Sequence, residues 1–201
     1  MLIGVSSLAA AEEIIGSWEP DSVVSIHSPG VATLAPLKTI PHLRLCFHDV
    51  EHRIAAVVGG TVRPATQVAA GDRHLRTFLN FLESARPERL LIHCAAGLSR
   101  SPAFAILALL WAGASPLQAV HAVKVHLPTA QPNRRVLRLA EKYFSLPGFA
   151  ELAAEMFTYE RGPSGAIGDV LAGAAIIPNH SHPGEIKGDG RGDSNPLRSS
   201  L

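Results

Sequence analysis

The sequence has only two cysteines among its 201 residues, too few for the disulfide framework of a small secreted domain. Its charges nearly cancel, and a net charge of +1 predicts no general affinity for nucleic acid or acidic membranes. The apolar run at 102–112 is too short to span a bilayer. Residues 1–16 contain two glutamates and no basic residue, unlike a signal peptide. These absences predict a cytoplasmic protein, and a monomer is favoured.

Hydrophobic residues make up 47% of the chain and charged residues 17%, enough for one domain with a sizeable core. The composition changes near Arg161, because 12 of the last 41 residues are glycine or proline and none is aromatic. Such a segment buries too little apolar surface to fold by itself. We therefore predict a catalytic domain at 1–159 and a disordered tail at 160–201, in which the apolar patch 167–177 could dock as a short helix.

Extended and helical patterns alternate along the first part of the chain, and helices alone follow. This order predicts an α/β fold, with a mostly parallel central sheet flanked by helices and a helical C-terminal half. Strands are expected near 2–5, 22–26, 43–47 and 90–92, and helices near 9–18, 72–85 and 102–112, from 116, from 133 and at 149–159.

One segment, from His93 to Ser101, carries the chemistry: it reads His-Cys-Ala-Ala-Gly-Leu-Ser-Arg-Ser. A predicted strand precedes it and a predicted helix follows it. A loop at a helix N-terminus presents backbone N–H groups to an anion, and the same field with an adjacent arginine favours a cysteine thiolate. We call residues 94–100 the phosphate loop; the residues expected to hold phosphate oxygens are Ala95, Ala96, Gly97, Leu98, Ser99 and Arg100.

The residue types of this loop fit a nucleophile better than an inert core cysteine. Gly97 permits a backbone conformation closed to residues with a side chain. Arg100 can hold two oxygens of a phosphoryl group at once. Ser101 followed by Pro102 predicts a capping hydroxyl and the first helical residue. An inert Cys94 would leave all these choices unexplained.

The segment resembles the signature of the cysteine-dependent protein tyrosine phosphatases, and it is most similar to the dual-specificity branch. The resemblance extends from about Leu2 to Phe157. It implies that Cys94 is the nucleophile, that Arg100 binds phosphate, and that Ser101 hydrogen-bonds the sulfur and eases its departure. It also implies that His93 braces the loop. The first three roles also follow from the chemistry of activated nucleophiles.

Cleavage of a protein phosphoester requires a proton donor for the leaving oxygen. In related phosphatases this donor is an aspartate on a loop that follows a strand. Asp49 fits, since it follows the apolar strand predicted at 43–47, and an insertion around 54–68 would account for its long separation from Cys94. Asp72 is the alternative, although an acid at the start of a helix is common. The sequence favours Asp49 and leaves Asp72 open.

Two further patterns have simpler explanations. His48, Glu51 and His52 match the H-x-x-E-H pattern of some zinc proteases, but that pattern needs a helix, and this one follows a strand. We therefore predict no metal and no cofactor. Asn133 follows Pro132 in a turn that resembles one in dual-specificity phosphatases, but a plain helix cap is sufficient for it.

The predicted function is phosphomonoester hydrolysis on phosphotyrosine and on phosphoserine or phosphothreonine, with a phosphoprotein or phosphopeptide as partner. The loop positions Ala95, Ala96 and Leu98 supply no cation for a polyphosphoinositide. The first alternative is a phosphate-binding pseudophosphatase, an interaction module without turnover. A rhodanese-like sulfur transferase or arsenate reductase is a third hypothesis, which the Gly-x-Ser-Arg-Ser spacing disfavours.

Overall fold

The computed structural model describes residues 1–51, 56–58, 61–63, 67–158 and 175–178. Its strands are β1 (Leu2–Ser7), β2 (Ser22–His27), β3 (His42–Cys46), β4 (Ala56–Val58), β5 (Thr61–Arg63), β6 (Arg89–Cys94) and β7 (Ala175–Pro178). Its helices are α1 (Leu8–Trp18), α2 (Asp72–Ala85), α3 (Arg100–Trp111), α4 (Pro116–His126), α5 (Arg134–Tyr143) and α6 (Phe149–Met156).

Five strands form one sheet in the order β3-β2-β6-β1-β7, and β4 and β5 form a separate antiparallel pair. Strands β1, β2, β3 and β6 are parallel to one another, whereas β7 is antiparallel to β1. The predicted mostly parallel α/β fold is confirmed. Because the four parallel strands end at the same edge, the residues that follow them are brought close together.

The two faces of the sheet are covered differently, because successive side chains of a strand point to opposite faces. Ile3 and Val5 of β1 belong to the main core, which also contains buried residues of α2 to α6. Gly4, between them, faces the other way, against the ring of Trp18 from α1. A Cβ atom at Gly4 would lie 2.8 Å from that ring, so close packing of α1 requires glycine there.

The predicted periodicity of α2 is confirmed, since Leu75, Phe78, Leu79 and Leu82 are all buried. The start of α4 is also as predicted. Ser115 caps it by accepting a hydrogen bond from the backbone N–H of Gln118, with proline at the first helical position.

Helix α3 begins two residues earlier than predicted. Its first residue is Arg100 and its N-cap is Ser99, so the prediction that Ser101 caps the helix was wrong. Ser101 lies inside the first turn, where its hydroxyl contacts another partner, described below. Pro102 is therefore the third helical residue, two positions further in than predicted. Proline is tolerated there because the N–H groups of the whole first turn lack helical partners.

The segment predicted as a tail contributes β7. Its backbone pairs with β1, and Ile177 lies opposite Ile3 with none of its surface exposed. The segment was predicted to be disordered, with a short docked helix as a possibility at 167–177, but at 175–178 the chain is a strand. The apolar sequence Ala-Ile-Ile fits the free edge of β1 better, because edge pairing satisfies backbone groups that a short helix would leave open. The rest of the predicted tail lies outside the described residues.

Within the described ranges, no helix is both long and apolar enough to cross a membrane.

Candidate active site

The sulfur of Cys94 lies at the carboxyl edge of the sheet, at the end of β6, where its residue is only 2% exposed. It accepts two hydrogen bonds. The backbone N–H of Gly97 donates over 3.3 Å, and the Ser101 hydroxyl donates over 3.2 Å. Both donors stabilise negative charge on sulfur, as does the N-terminus of α3 immediately behind the loop. The sulfur is thus surrounded by hydrogen-bond donors.

The inner side of the phosphate loop packs against the turn between β1 and α1. Gly97 has a φ of +77°, and a Cβ atom there would lie 2.9 Å from the backbone carbon of Ser6 and the backbone nitrogen of Ser7. The backbone N–H of Leu8 donates to the carbonyl of Ala95 over 3.2 Å. Gly97 is therefore required both by its backbone angle and by the lack of space.

Residues just before α5 hold the outer side of the loop. The N–H of Gln131 donates to the carbonyl of Leu98 over 2.8 Å, and that of Asn133 donates to the carbonyl of Ser99 over 3.1 Å. In a trans peptide unit the N–H points opposite to the C=O. The N–H groups of Ser99 and Arg100, which share these peptide units, therefore point away from the 131–133 segment and toward the loop interior.

Arg100 is buried, with 4% exposure, and its guanidinium is fixed from behind. Its Nη1 donates to the carbonyl of Phe47 over 2.9 Å and to the hydroxyl of Ser28 over 3.2 Å. Its Nε–H has no hydrogen-bond partner within the described part of the chain. A buried guanidinium with an unused donor is suited to an oxyanion, whose oxygens would satisfy it.

Asp49 lies at the rim of the same loop, two residues beyond Phe47. Its Oδ1 accepts hydrogen bonds from the Ser99 hydroxyl at 2.7 Å and from the Asn133 amide at 2.8 Å. Its Oδ2 lies 3.8 Å from Arg100 Nε. Oδ2 thus has no hydrogen-bond partner among the described residues, and the side chain is 38% exposed, which allows a substrate to reach it.

Asp72 is placed differently. It lies in the first turn of α2, and among the described residues no hydrogen bond or ion pair joins its side chain to the phosphate loop. The structure therefore brings Asp49, and not Asp72, beside Ser99 and Arg100 of the phosphate loop. The assignment of either as proton donor stays a prediction.

Two hydrogen bonds between His48 and Val68 join the segment that carries Asp49 to the segment just before α2. The N–H of His48 donates to the carbonyl of Val68 over 2.7 Å, and the N–H of Val68 donates to His48 Nδ1 over 3.0 Å. In the described residues no group of three or more side chains could hold a metal ion. His52, the third residue of the zinc-protease pattern, lies outside them.

His93 lies beneath the loop with 1% exposure, and its Nε2 is 2.6 Å from the hydroxyl of Ser25 on β2. The pKa of His93 is lowered to about 4, chiefly by burial and also by the neighbouring His42 and His27, while the Cys94 backbone acts in the opposite direction. His93 is therefore neutral at pH 7. This position fits the bracing role that the resemblance implies.

A cleft of about 680 Å³ opens beside the phosphate loop. It begins at Asp49 and Ser99 and extends to α6, where Ala153 and Phe157 are buried. Its charged lining consists of two carboxylates and one arginine. The lining residues are Asp49, Glu51, Leu98, Ser99, Thr129, Gln131, Pro132, Asn133, Arg134, Ala153, Ala154, Phe157 and Thr158.

Sequence reasoning missed several contacts of this site. Ser28 and the carbonyl of Phe47 position Arg100, and Ser25 contacts His93, yet nothing in the local pattern marks either serine. Asn133 had a signal, since it follows proline before a helix. The helix cap explains one of its two side-chain contacts, in which Asn133 Oδ1 accepts from the N–H of Val136. It does not explain the other, in which the Asn133 amide donates to Asp49.

The sheet order, the loop at its carboxyl edge and the helices behind it define the fold of the dual-specificity phosphatases. Human DUSP28 aligns with a TM-score of 0.53 and 21% identity over 75% of this chain and 92% of its own. The human tyrosine phosphatase-like serine/threonine/tyrosine-interacting protein aligns with a TM-score of 0.54 and 15% identity, over 72% of this chain and 91% of its own.

PTPMT1, in a structure with PI(5)P, aligns with a TM-score of 0.50 and 15% identity, over 76% of this chain and 92% of its own. At these identities the likeness establishes the fold alone. No protein-family model matches the sequence, and no curated protein matches it.

Proposed function

We propose that this chain is a cysteine-dependent phosphatase that hydrolyses phosphomonoesters through a phosphocysteine intermediate. The observation that carries the proposal is the environment of one sulfur atom. Cys94 Sγ accepts hydrogen bonds from Gly97 and Ser101 in a loop that also holds a buried Arg100 with an unused N–H donor. A structural cysteine needs neither two donors nor a fixed guanidinium.

In the first step the Cys94 thiolate attacks phosphorus. A sulfur–phosphorus bond forms while the bond from phosphorus to the leaving oxygen breaks, and Asp49 gives its proton to that oxygen. The inward N–H groups of the loop and Arg100 stabilise the negative charge on the remaining phosphoryl oxygens.

In the second step water attacks the phosphocysteine. The Asp49 carboxylate accepts a proton from the water as the sulfur–phosphorus bond breaks, and inorganic phosphate leaves. Sulfur departs as a thiolate, and the Ser101 hydroxyl, 3.2 Å from Sγ, stabilises its charge. The cycle returns Asp49 to its protonated form and Cys94 to its charged form, and requires no cofactor.

We further propose that the substrate is a protein carrying phosphotyrosine, with phosphoserine and phosphothreonine as further substrates. The cleft shares Asp49, Leu98 and Ser99 with the site, so a peptide could continue from the phosphorylated residue toward Phe157. Its volume of about 680 Å³ is ample for side chains that flank that residue. Two carboxylates against one arginine make the cleft unfavourable for a head group with several phosphates.

The test is turnover of a substrate panel by the purified full chain: a phosphotyrosine peptide, a phosphothreonine peptide, an aryl phosphate and PI(5)P. We expect phosphate release from the peptides and the aryl phosphate. Cys94→Ser should abolish it, because a serine hydroxyl is far less ionised than a thiol, yet vanadate or tungstate should still bind. Cys46→Ser, which removes the other cysteine, is the matched control and should change turnover less than about twofold.

Activity that survives Cys94→Ser would overturn the proposed mechanism. Turnover of PI(5)P with none of either peptide would overturn the proposed substrate class. Oxyanion binding without any turnover by the wild-type chain would favour the alternative, a pseudophosphatase that acts as an interaction module.

We also propose a monomer that acts in the cytoplasm, because a thiolate nucleophile persists best in a reducing compartment. Its catalytic domain is residues 1–159, completed by β7 at the edge of the sheet.

A further inference from the structure

A chain of hydrogen bonds crosses three strands beneath the phosphate loop. The backbone N–H of Leu37 lies 3.1 Å from His42 Nδ1, and His42 Nε2 lies 2.7 Å from the Ser25 hydroxyl oxygen. The same oxygen lies 2.6 Å from His93 Nε2. Ser25 and His93 are directly opposite in the pairing of β2 with β6, and both are almost fully buried. The chain of contacts ends one residue before the nucleophile.

The first contact fixes the tautomer of His42. A backbone N–H can only donate, so His42 Nδ1 must accept, and the proton of the neutral ring is on Nε2. His42 Nε2–H therefore donates to Ser25. The buried serine hydroxyl needs an acceptor for its own proton, and among the described residues its other hydrogen-bond partner is His93 Nε2. With the Ser25 proton on that bond, the proton of the His93 ring is on Nδ1.

Both rings are held in the neutral form that this assignment requires. Burial lowers the pKa of His42, as does the nearby Arg44. His93 is buried more deeply, and the groups that act on it are His42 of β3, His27 of β2 and the backbone of Cys94. Within the described residues, Arg100 is the charged group of the loop that follows it. At pH 7 neither imidazole carries a second proton that could reverse the order of donors.

The Nδ1 side of His93 is where this order matters. Nδ1 is buried and has no hydrogen-bond partner of good geometry among the described residues. An N–H there turns its positive end toward the Cys94 backbone, where the loop begins and which acts to raise the pKa of His93. The other tautomer would place a lone pair at the same point and would disfavour the thiolate.

We propose that Ser25 and His42 are positioning residues of the phosphatase, which hold His93 in its Nδ1–H tautomer and so keep Cys94 reactive toward lower pH. The proposal rests on the proposed function for its biological meaning, but not for its test. A merely structural role would be satisfied by any buried partner that fills the same space, and would leave the reactivity of the sulfur unchanged.

The test measures the rate at which iodoacetamide alkylates Cys94 as a function of pH, in the full chain with Cys46→Ser so that one thiol remains. Ser25→Ala removes the hydroxyl, and Ser25→Thr keeps it. We expect the midpoint of the pH dependence to move upward by about one pH unit in Ser25→Ala. On the acid side of the midpoint this corresponds to an alkylation rate about tenfold lower than that of the parent. Ser25→Thr should stay within about twofold of the parent.

His42 supplies a second pair, which protects the test if Ser25→Ala folds poorly. His42→Leu removes the donor to Ser25 and should move the midpoint in the same direction. His42→Gln can place an amide N–H near the position of Nε2 and should restore most of the rate. Nitrogen-15 NMR of the ring should show the His93 proton on Nδ1 in the parent and a mixture of tautomers in Ser25→Ala.

An unchanged midpoint in folded Ser25→Ala or His42→Leu would overturn the proposal, as would a His93 proton on Nε2 in the parent. So would a full shift from Ser25→Ala in a His93→Phe background, since the effect would then not pass through His93. Alkylation needs no turnover. If the variants show these shifts but the parent hydrolyses no phosphoester, the proposed function is overturned and this inference stands.

Discussion

At the scale of single residues, only part of the Arg100 guanidinium is bound by the fold. Its Nη1 donates to the Phe47 carbonyl and the Ser28 hydroxyl, at the ends of two other strands. Its Nε–H has no hydrogen-bond partner among the described residues, and in the proposed mechanism it binds the oxyanion. The planar group is thus oriented before any substrate arrives, which spares the reaction the cost of arranging it.

Arg100→Lys should lower kcat for phosphotyrosine peptide by about 10²–10³-fold or more, because lysine keeps the charge but loses the fixed planar donors. Steady-state kinetics would measure this. Arg138→Lys, at an exposed position of α5, is the matched control and should change kcat less than about twofold. A loss of only twofold in Arg100→Lys would mean that this side chain does not bind the phosphoryl group.

Substrates with different leaving groups can show whether Asp49 or Asp72 is the proton donor. Asp49→Asn keeps an oxygen for Ser99 and the Asn133 amide but loses the proton. It should cost about 10²–10⁴-fold in kcat with phosphotyrosine peptide and far less with a fluorinated aryl phosphate, whose leaving group needs no acid. Asp72→Asn should only weaken the start of α2, by about 1 kcal/mol or less. Measuring kcat of both variants on both substrates tests this. If Asp72→Asn, rather than Asp49→Asn, shows the larger loss with phosphotyrosine peptide, then Asp72 is the proton donor.

At the scale of elements, the edge strand β7 shows that pairing overrides composition. Its sequence lies in a segment rich in glycine and proline, yet β1 offers it a row of unpaired backbone groups and a core position for Ile177. Ile176, the preceding residue, points away from the core and is 44% exposed. Strand alternation therefore divides two identical side chains between core and solvent.

Ile177→Ala should lower the free energy of unfolding by about 2–4 kcal/mol, since it removes a buried side chain. Ile176→Ala, its neighbour of the same type, should change it by about 0.5 kcal/mol or less. Urea unfolding of the full-length variants would measure both. Equal effects, or no effect of Ile177→Ala, would show that β7 does not pack on β1 in solution.

At the scale of the whole molecule, three partly or fully buried histidines make stability depend on pH. The pKa values of His42, His74 and His93 are all lowered, chiefly by burial, and that of His93 falls to about 4. Below pH 6.5 these histidines bind protons in the unfolded chain but bind fewer in the folded chain. The folded state therefore loses stability as the pH falls from about 6.5 toward 4.

The free energy of unfolding should fall by about 2–4 kcal/mol across that window on account of His93 alone. His93→Gln removes the titrating ring and should flatten the dependence by about that amount. His121→Gln, on an exposed position of α4, should leave the dependence as it is. Urea titrations at several pH values would test this, and a slope unchanged by His93→Gln would contradict it.

The sequence by itself determined what is local. The phosphate loop is one contiguous segment whose residue types each have a chemical reason, and the amphipathic period of α2 is written in consecutive turns. The alternation of strands and helices predicted the mostly parallel sheet. The exception is Ser101. Its residue pattern predicted a helix cap, and only the resemblance implied the hydrogen bond to the sulfur that the structure shows.

The tertiary structure decided everything that joins distant segments. Asp49 meets Ser99 and Asn133, which are 50 and 84 residues away, and only the order of the strands brings them together. The bonds from Ser25 to His42 and His93 depend on register across three strands, and β7 depends on a free edge. Local patterns determine which face of an element is apolar. They do not determine which element packs against that face, because the arrangement of elements depends on the packing free energy of the whole domain.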